Sequence, residues 1–250
     1  MRGVALAVAL LAAGLLCASA ARAHTGPGPS VPTAVEQFAL AGKPVFCGGP
    51  SKRVFALTFD DGPSPWTESL VAALRRQRAP ATFFMVGNRL TLWSSSARAA
   101  AGYEAGAIGD HTWSHADLDR LPVKQIEKQL LWAQQALHAR LGVRTQLFRP
   151  PYERANAKVE RVVHRLGFLD VRWNVDPADT GRGATPNRVV RSVLRNLRPG
   201  SIVLLHDLHP WTAQVVRRVL VAARKRHLWP VTVPRLLEVD PPQPNGSCFG

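Results

Sequence analysis

The chain has 250 residues and a formal net charge of +15, because 32 Lys and Arg residues outnumber 17 Asp and Glu residues. This length suits one α/β domain with a sizeable core. A basic chain attracts polyanions, yet the arginines are scattered through helical stretches such as "LRRQR" and "VVRRVL", without a Lys/Arg block or an aromatic stacking array. We therefore expect no nucleic-acid partner. The charge indicates solvated helix faces first and an anionic cell-wall polymer second.

The first 23 residues have the pattern of a secretory signal peptide. Arg2 gives a basic start, "VALAVALLAAGLL" is apolar, and "ARA" ends in small residues, so we expect cleavage before His24. The alternatives are a cut after Ala20, an uncleaved anchor, and a lipoprotein built on Cys17. No other segment reaches the roughly 18 apolar residues that span a bilayer, so we expect no membrane insertion after signal removal. The sequence predicts export to the extracellular space, cell wall or periplasm.

Residues 24–50 are rich in Pro and Gly and are predicted to be a linker or extended lead-in. Residues 239–250 are predicted to be a similar tail, and the folded domain spans 51–238. Cys47 and Cys248 flank that domain and are candidates for a disulfide in an oxidising compartment. Within the domain, apolar segments of strand length alternate with amphipathic helices. The strand candidates are "RVFALTF", "ATFFMVG", "AIGD", "TQLFR", "FLDVRWN", "SIVLLHD" and "WPVTV". This alternation predicts a parallel sheet that is covered on both faces or closed into a barrel.

Polar side chains lie at the carboxyl ends of five of these strands. "TFDDGP" follows the first strand, "HTWSH" the third, "RPPY" the fourth and "WNVDPAD" the fifth, and "LLH" ends the sixth. Because the carboxyl ends of parallel strands form the active-site rim of α/β folds, we expect these segments to meet at one mouth. Two adjacent carboxylates at the end of a buried strand indicate a metal, a cation or a proton-transfer role, with ordinary turn formation as the alternative.

The segment "HTWSH" places His111 and His115 four residues apart, which predicts that both imidazoles lie on one side of a helical turn and bind one ion. Two histidines alone are also common as structural residues. Together with one Asp, however, they form the ligand set typical of catalytic zinc with open positions for water and substrate.

These five segments together resemble the polysaccharide deacetylases, the NodB-homology domain of carbohydrate esterase family four. They occur in the family's order, and the resemblance covers about residues 52–235. It implies a distorted (β/α) barrel of parallel strands surrounded by helices, which agrees with the alternation described above. It also implies a hydrolase that removes N-acetyl groups from amino-sugar polymers such as peptidoglycan or chitin, giving a free amine and acetate.

The resemblance implies which residues bind the metal and which is the base. Asp61, His111 and His115 would hold one divalent metal ion, with zinc preferred and cobalt or another divalent ion as alternatives. Such an ion would polarise the acetyl carbonyl and lower the pKa of a bound water. Asp60 would be the catalytic base that takes the proton of that water.

The same resemblance implies roles for five further residues. His206 would protonate the departing amine, and Asp179 would keep His206 protonated. Arg149 would orient the base and keep it ionised. The backbone N–H of Tyr152 would stabilise the oxyanion, and Leu205 would line the acetyl pocket.

The sequence departs from the family's usual pattern at two positions. Thr180 follows the last Asp of "WNVDPAD", where many relatives have Trp, and Glu153 follows the Tyr of "RPPY", where relatives often have Gly. Both positions would shape the sugar groove, to which Trp173 would add a stacking surface. We expect an N-acetylated polysaccharide or oligosaccharide substrate and a monomeric enzyme. The alternatives are an O-acetyl esterase acting on xylan and a non-catalytic glycan-binding relative.

Overall fold

A computed structural model of the protein describes residues 33–243 and residue 248. The predicted signal peptide, its cleavage before His24, and the alternatives built on Ala20 and Cys17 lie outside the described residues. Residues 244–247, 249 and 250 of the predicted tail also lie outside them.

One parallel sheet forms the centre of the described domain. Its strands are β1 (Val54–Gly62), β2 (Ala81–Met85), β3 (Gly106–Asp110), β4 (Leu147–Phe148), β5 (Leu169–Asp170), β6 (Ile202–His206) and β7 (Trp229–Val231). Six strands run in the order β5-β4-β3-β2-β1-β6, and β7 pairs with the start of β1. Val175, which follows β5, forms a parallel bridge with Val203 of β6 and so joins the two ends of the row. The predicted distorted barrel is confirmed, and each predicted strand segment overlaps one of these strands.

Nine α-helices accompany the sheet in the described part of the chain. They are α1 (Ala34–Ala41), α2 (Thr67–Gln77), α3 (Arg89–Leu92), α4 (Ser94–Ala101), α5 (Val123–Leu141), α6 (Ala157–Arg165), α7 (Pro186–Asn196), α8 (Thr212–Lys225) and α9 (Val233–Val239). The start of α7 is set by its sequence, because Thr185 caps the helix and Pro186 occupies its first position. In these described residues, no helix combines the length and the apolar character that crossing a membrane requires.

Side chains along β1 alternate between two hydrophobic clusters. Phe55, Leu57 and Phe59 belong to the cluster that includes apolar residues of α2, α7 and α8, whereas Ala56 belongs to a second cluster with residues of α1 and α9. Both faces of the strand are therefore buried, which explains its continuous apolar sequence. This burial fixes the position of the strand end that carries the two adjacent carboxylates.

Part of the predicted lead-in folds with the domain and is not a linker. Thr33 and Glu36 form a capping box at the start of α1, and Gly42 ends the helix with a φ of 67°. Ala39 is buried in the cluster that also contains residues of α9. The Pro and Gly content of the segment suggested a linker, but a short capped helix with an apolar face is enough to dock on the domain.

Cys47 and Cys248, the candidate pair of the sequence analysis, form a disulfide between positions 201 residues apart. The backbone N–H of Phe46 also donates to the carbonyl O of Cys248 at 2.8 Å. The bond therefore links the lead-in to the tail.

Candidate active site

All five polar segments line one groove of about 320 Å³ at the carboxyl end of the sheet. The lining residues are Asp60, Asp61, His111, His115, Pro150, Tyr152, Glu153, Trp173, Asp176, Thr180, Leu204 and His206. In the ladder between β1 and β6, Asp60 lies directly opposite His206, so adjacent strands carry both residues to the same rim. The segments thus meet at one mouth, as their positions at strand ends predicted.

Asp61, His111 and His115 form a cluster whose possible ligand atoms all lie within 4.8 Å of one another. Oδ1 of Asp61 is 3.3 Å from Nε2 of His111 and 2.9 Å from Nε2 of His115. This oxygen is buried and makes no well-aligned hydrogen bond within the described residues. A buried carboxylate oxygen that faces two imidazole nitrogens fits a divalent cation such as zinc, which prefers nitrogen and oxygen ligands of these types.

Further contacts orient both imidazoles toward Asp61. Nδ1 of His111 lies 2.8 Å from the carbonyl O of Arg149, so we assign the hydrogen to Nδ1 and the free lone pair to Nε2. Nδ1 of His115 lies 3.1 Å from the hydroxyl of Tyr152, whose ring also makes an edge contact with the imidazole. Burial raises the pKa of Asp61, but the two histidines outweigh burial and hold that pKa well below its usual range. The carboxylate is therefore ionised at neutral pH, as binding a cation requires.

The segment "HTWSH" is a loop, and the prediction of a helical turn was wrong. Thr112 and His115 have left-handed φ angles of 67° and 57°, which no regular helix contains. The carboxylate of Asp110 accepts from the N–H of Thr112 at 2.7 Å, and the carbonyl O of Gln129 accepts from the N–H of Trp113 at 2.8 Å. These contacts hold the loop against α5. The loop, and not a helical turn, brings both imidazoles together.

Arg149 is completely buried and holds Asp60 in place. Its Nη1 donates to Oδ1 of Asp60 at 2.8 Å, while Nε and Nη2 donate to the carbonyl oxygens of Val171 and Arg172 at 2.9 and 3.1 Å. Because the guanidinium is bonded on several sides, it fixes one oxygen of the carboxylate. The other oxygen, Oδ2, lies 3.9 Å from Nε2 of His111, beside the candidate metal ligands.

His206 is paired with the buried carboxylate of Asp179. Nδ1 of His206 lies 2.7 Å from Oδ1 of Asp179, and the backbone N–H of His206 donates to Oδ2 at 2.8 Å. Burial lowers the pKa of His206, but its hydrogen bond to Asp179 and the charges of Asp179, Asp60 and Asp61 outweigh burial and raise the pKa to about 9. The imidazole is therefore protonated at neutral pH and able to donate a proton.

Leu204 lines the groove and Leu205 does not, so the sequence-based choice of Leu205 was wrong. Side chains alternate along β6, which places Leu204 on the same face as His206 and Leu205 in the core cluster on the opposite face. Counting back two residues from His206 would have identified Leu204. The other two predicted pocket residues line the groove: Trp173 is partly buried, and Tyr152 is 60% exposed.

Asp110 and Arg172 are buried charged residues behind the groove that the five motifs do not include. Asp110 precedes His111 and anchors its loop, and Arg172 precedes Trp173 and donates to the carbonyl O of Glu153 at 2.8 Å. The available signal was a charged residue inside each of the apolar segments "AIGD" and "FLDVRWN". A charge in a buried strand requires a partner, so such a residue is a candidate for fixing a neighbouring loop.

The mouth of this parallel α/β barrel holds a candidate metal site of two histidines and a carboxylate. An Asp–Arg pair and a His–Asp pair lie beside it, so the groove contains the residue types used in hydrolytic chemistry. The sequence model of the polysaccharide deacetylase family matches residues 48–171. The chain belongs to the polysaccharide deacetylase family.

Named relatives are similar over most of the described domain. The peptidoglycan-N-acetylmuramic acid deacetylase PdaC of Bacillus subtilis is 32% identical over 192 residues, which are 76% of this chain and 40% of PdaC. A chitooligosaccharide deacetylase of a Bradyrhizobium species is 36% identical over 63% of this chain and 72% of that protein. The solved Bc1960 peptidoglycan N-acetylglucosamine deacetylase superposes with a TM-score of 0.72 at 26% identity, covering 79% of this chain and 94% of that chain. The matched part thus spans less than half the length of PdaC.

Proposed function

We propose that the chain is a metal-dependent deacetylase that hydrolyses the N-acetyl groups of amino-sugar polymers. The observation that carries the proposal is the cluster of Asp61, His111 and His115, with Asp60 and His206 at the same rim. Transfer of an acetyl group to water needs a polarised carbonyl, a base and an acid, and this groove contains a group suited to each task.

The substrate class that we place first is peptidoglycan amino sugars, and chitin-type oligomers come second. Relatives named for each of these substrates are similar to this chain. A net charge of +15 suits an anionic cell wall. The signal-peptide pattern of the first 23 residues supports export to the compartment where such polymers lie.

The reaction begins with water and the base. Asp61, His111 and His115 would hold a divalent ion, which would supply Lewis acidity to polarise the acetyl carbonyl and make water more acidic. Asp60 accepts the proton of the attacking water. Its Oδ1 is held by Arg149, so Oδ2 is the oxygen that remains for the proton.

The later steps use two groups on the other walls of the groove. The backbone N–H of Tyr152 stabilises the negative charge that develops on the carbonyl oxygen. His206, kept charged by Asp179, donates its proton to the nitrogen as the C–N bond breaks. Leu204 offers an apolar surface to the acetyl methyl group. The products are acetate, which contains the oxygen of the water, and a free amino sugar.

Acetate release from a small set of polymers tests this proposal. The zinc-loaded protein should release acetate from N-acetylglucosamine oligomers or from peptidoglycan, and mass spectrometry should find free amines in the product. Acetate from acetylated xylan alone would favour an O-acetyl esterase. Glycan binding without acetate release from any polymer, with zinc or cobalt, would favour a non-catalytic relative. The matched control is Asp60→Asn, which should keep the metal and lose turnover.

A further inference from the structure

The turn after β4 carries two consecutive residues in an unfavourable backbone conformation. Tyr152 and Glu153 have φ angles of 60° and 56°, in the left-handed region that residues with a side chain rarely adopt. Both residues line the groove, and Tyr152 supplies the backbone N–H assigned to the oxyanion. The direction of that N–H depends on this turn keeping its left-handed form.

Arg172 is the side chain that holds this turn from behind. It is 5% exposed, and its Nη1 donates to the carbonyl O of Glu153 at 2.8 Å. The rest of its guanidinium is occupied by Asp170, with Nε 2.7 Å from Oδ1 and Nη2 2.8 Å from Oδ2. A planar guanidinium gripped by two carboxylate oxygens has one orientation, so its third donor points in a fixed direction.

The backbone of Arg172 also contributes to the position of Asp60, the proposed base. Nη2 of Arg149 donates to the carbonyl O of Arg172, and Nη1 of Arg149 holds Asp60. The main chain of Arg172 is thus linked to Asp60 through Arg149. The side chain of Arg172 contacts the turn that contains Tyr152. Arg172 is not one of the described residues that line the groove. It can therefore affect the reacting atoms only through the residues that it contacts.

We propose that Arg172, oriented by Asp170, is a positioning residue that keeps the Tyr152–Glu153 turn left-handed and so aims the N–H of Tyr152 into the groove. This inference rests on the proposed deacetylase function for the role of that N–H. A left-handed residue with a side chain is disfavoured by about 5- to 30-fold in population, so the turn needs such a contact to stay formed.

Arg172→Lys tests the proposal because lysine keeps the positive charge but lacks the planar guanidinium. Its single ammonium group cannot form the bidentate pair with Asp170 and also donate to the carbonyl O of Glu153 in a fixed orientation. We expect kcat to fall about 10- to 100-fold, somewhat less than when an oxyanion donor is removed outright, with KM and zinc affinity within about threefold of wild type. Arg154→Lys is the matched control. Arg154 follows the turn directly but pairs with Asp117 on the surface, so turnover should not change.

A second substitution separates positioning from simple stabilisation. Glycine adopts left-handed angles without steric cost, so Glu153→Gly removes that cost at one of the two left-handed positions and makes the turn depend less on the contact. We expect Arg172→Lys to lower kcat much less in the Glu153→Gly background than in wild type. An equal loss in both backgrounds, or an unchanged kcat in Arg172→Lys alone, would overturn the proposal. If Arg172→Lys does not fold, Asp170→Asn replaces it in both backgrounds. We expect Asp170→Asn to lower kcat less than Arg172→Lys, and to lower it less in the Glu153→Gly background than in wild type.

Hydrogen exchange gives a readout that does not depend on catalysis. Pro150 and Pro151 have no amide hydrogen, so a peptide across the turn reports the amides of Tyr152, Glu153 and Arg154. Exchange in that peptide should become faster in Arg172→Lys. Unchanged exchange would contradict the proposal even in an active enzyme. If wild type releases no acetate from any polymer, the deacetylase function fails, whereas faster exchange would still support the contact with the turn.

Discussion

His206 and Asp179 are joined twice, once through the side chain and once through the backbone. Nδ1 of His206 is 2.7 Å from one carboxylate oxygen of Asp179, and the backbone N–H of His206 donates to the other oxygen at 2.8 Å. The carboxylate is fully buried, so its charge acts on the imidazole with little screening by water. This pair determines over which pH range His206 is an acid.

Asp179→Asn should move the alkaline limit of activity to lower pH. In wild type the pKa of His206 is raised to about 9, so the protonated form and the stability it adds are fully present below pH 6.5 and are lost as pH rises through about 9. Without the Asp179 charge the pKa should return toward about 6.5, and the protonated fraction at pH 8 should fall about 30-fold. The pH profiles of kcat for the two proteins test this.

The surface variant Glu104→Gln serves as the control for that profile, because the Glu104 side chain is 80% exposed. It precedes β3, at the end of the sheet opposite the groove. Its alkaline limit should match wild type. If Asp179→Asn lowers kcat equally at all pH values, the carboxylate is not setting the protonation of His206.

Removal of any one candidate ligand should abolish tight zinc binding. Asp61→Ala and His111→Ala each delete one of the three candidate ligand atoms. We expect the affinity for zinc to fall by roughly 100-fold or more, because even the loss of a residue that only hydrogen-bonds a metal ligand lowers metal affinity about 10- to 100-fold. Titration calorimetry and elemental analysis give the affinity and the metal content. His138→Ala, on the surface of α5, should bind zinc like wild type. Equal zinc content in all four proteins would contradict the assignment.

The strands and their polar ends could be predicted from the sequence because burial on both faces leaves a continuous apolar segment that ends abruptly in charged residues. The loop that joins His111 to His115 could not. Its left-handed residues depend on Asp110 and Gln129, and the spacing of two histidines is equally compatible with a helical turn. Local spacing therefore indicated the candidate ligands but not the backbone that presents them.

Two other differences have equally local causes. Composition suggested a linker where Thr33 and Glu36 cap a short helix, because a Pro- and Gly-rich average conceals a few residues with good helix-start chemistry. Motif position alone does not distinguish Leu205, which lies in the core, from Leu204, which lines the groove, whereas strand alternation does. Period-two counting from a known site residue corrects that type of error.

Arg149→Met should destabilise the protein by leaving Asp60 buried without its partner. Arg149 is 0% exposed and Asp60 is 3% exposed, so we expect a loss of about 3–5 kcal/mol in the free energy of unfolding. The double variant Arg149→Met, Asp60→Asn should recover part of that loss because the unpaired charge is gone. Urea unfolding monitored by circular dichroism measures both. A double variant less stable than Arg149→Met would show that packing, not the unpaired carboxylate, dominates.

Loss of the disulfide between Cys47 and Cys248 should lower stability while leaving the groove intact. The bond joins positions 201 residues apart, and the entropy of closing so long a loop in the unfolded chain gives an upper figure of about 5 kcal/mol. Neither cysteine lines the groove, so kcat of the Cys47→Ser, Cys248→Ser variant should equal that of wild type at temperatures where both are folded. Thermal unfolding with and without a reductant measures the effect: the reductant should lower the Tm of wild type to that of the variant and should not change the variant. A variant with the wild-type Tm would show that other contacts hold the two ends of the domain together.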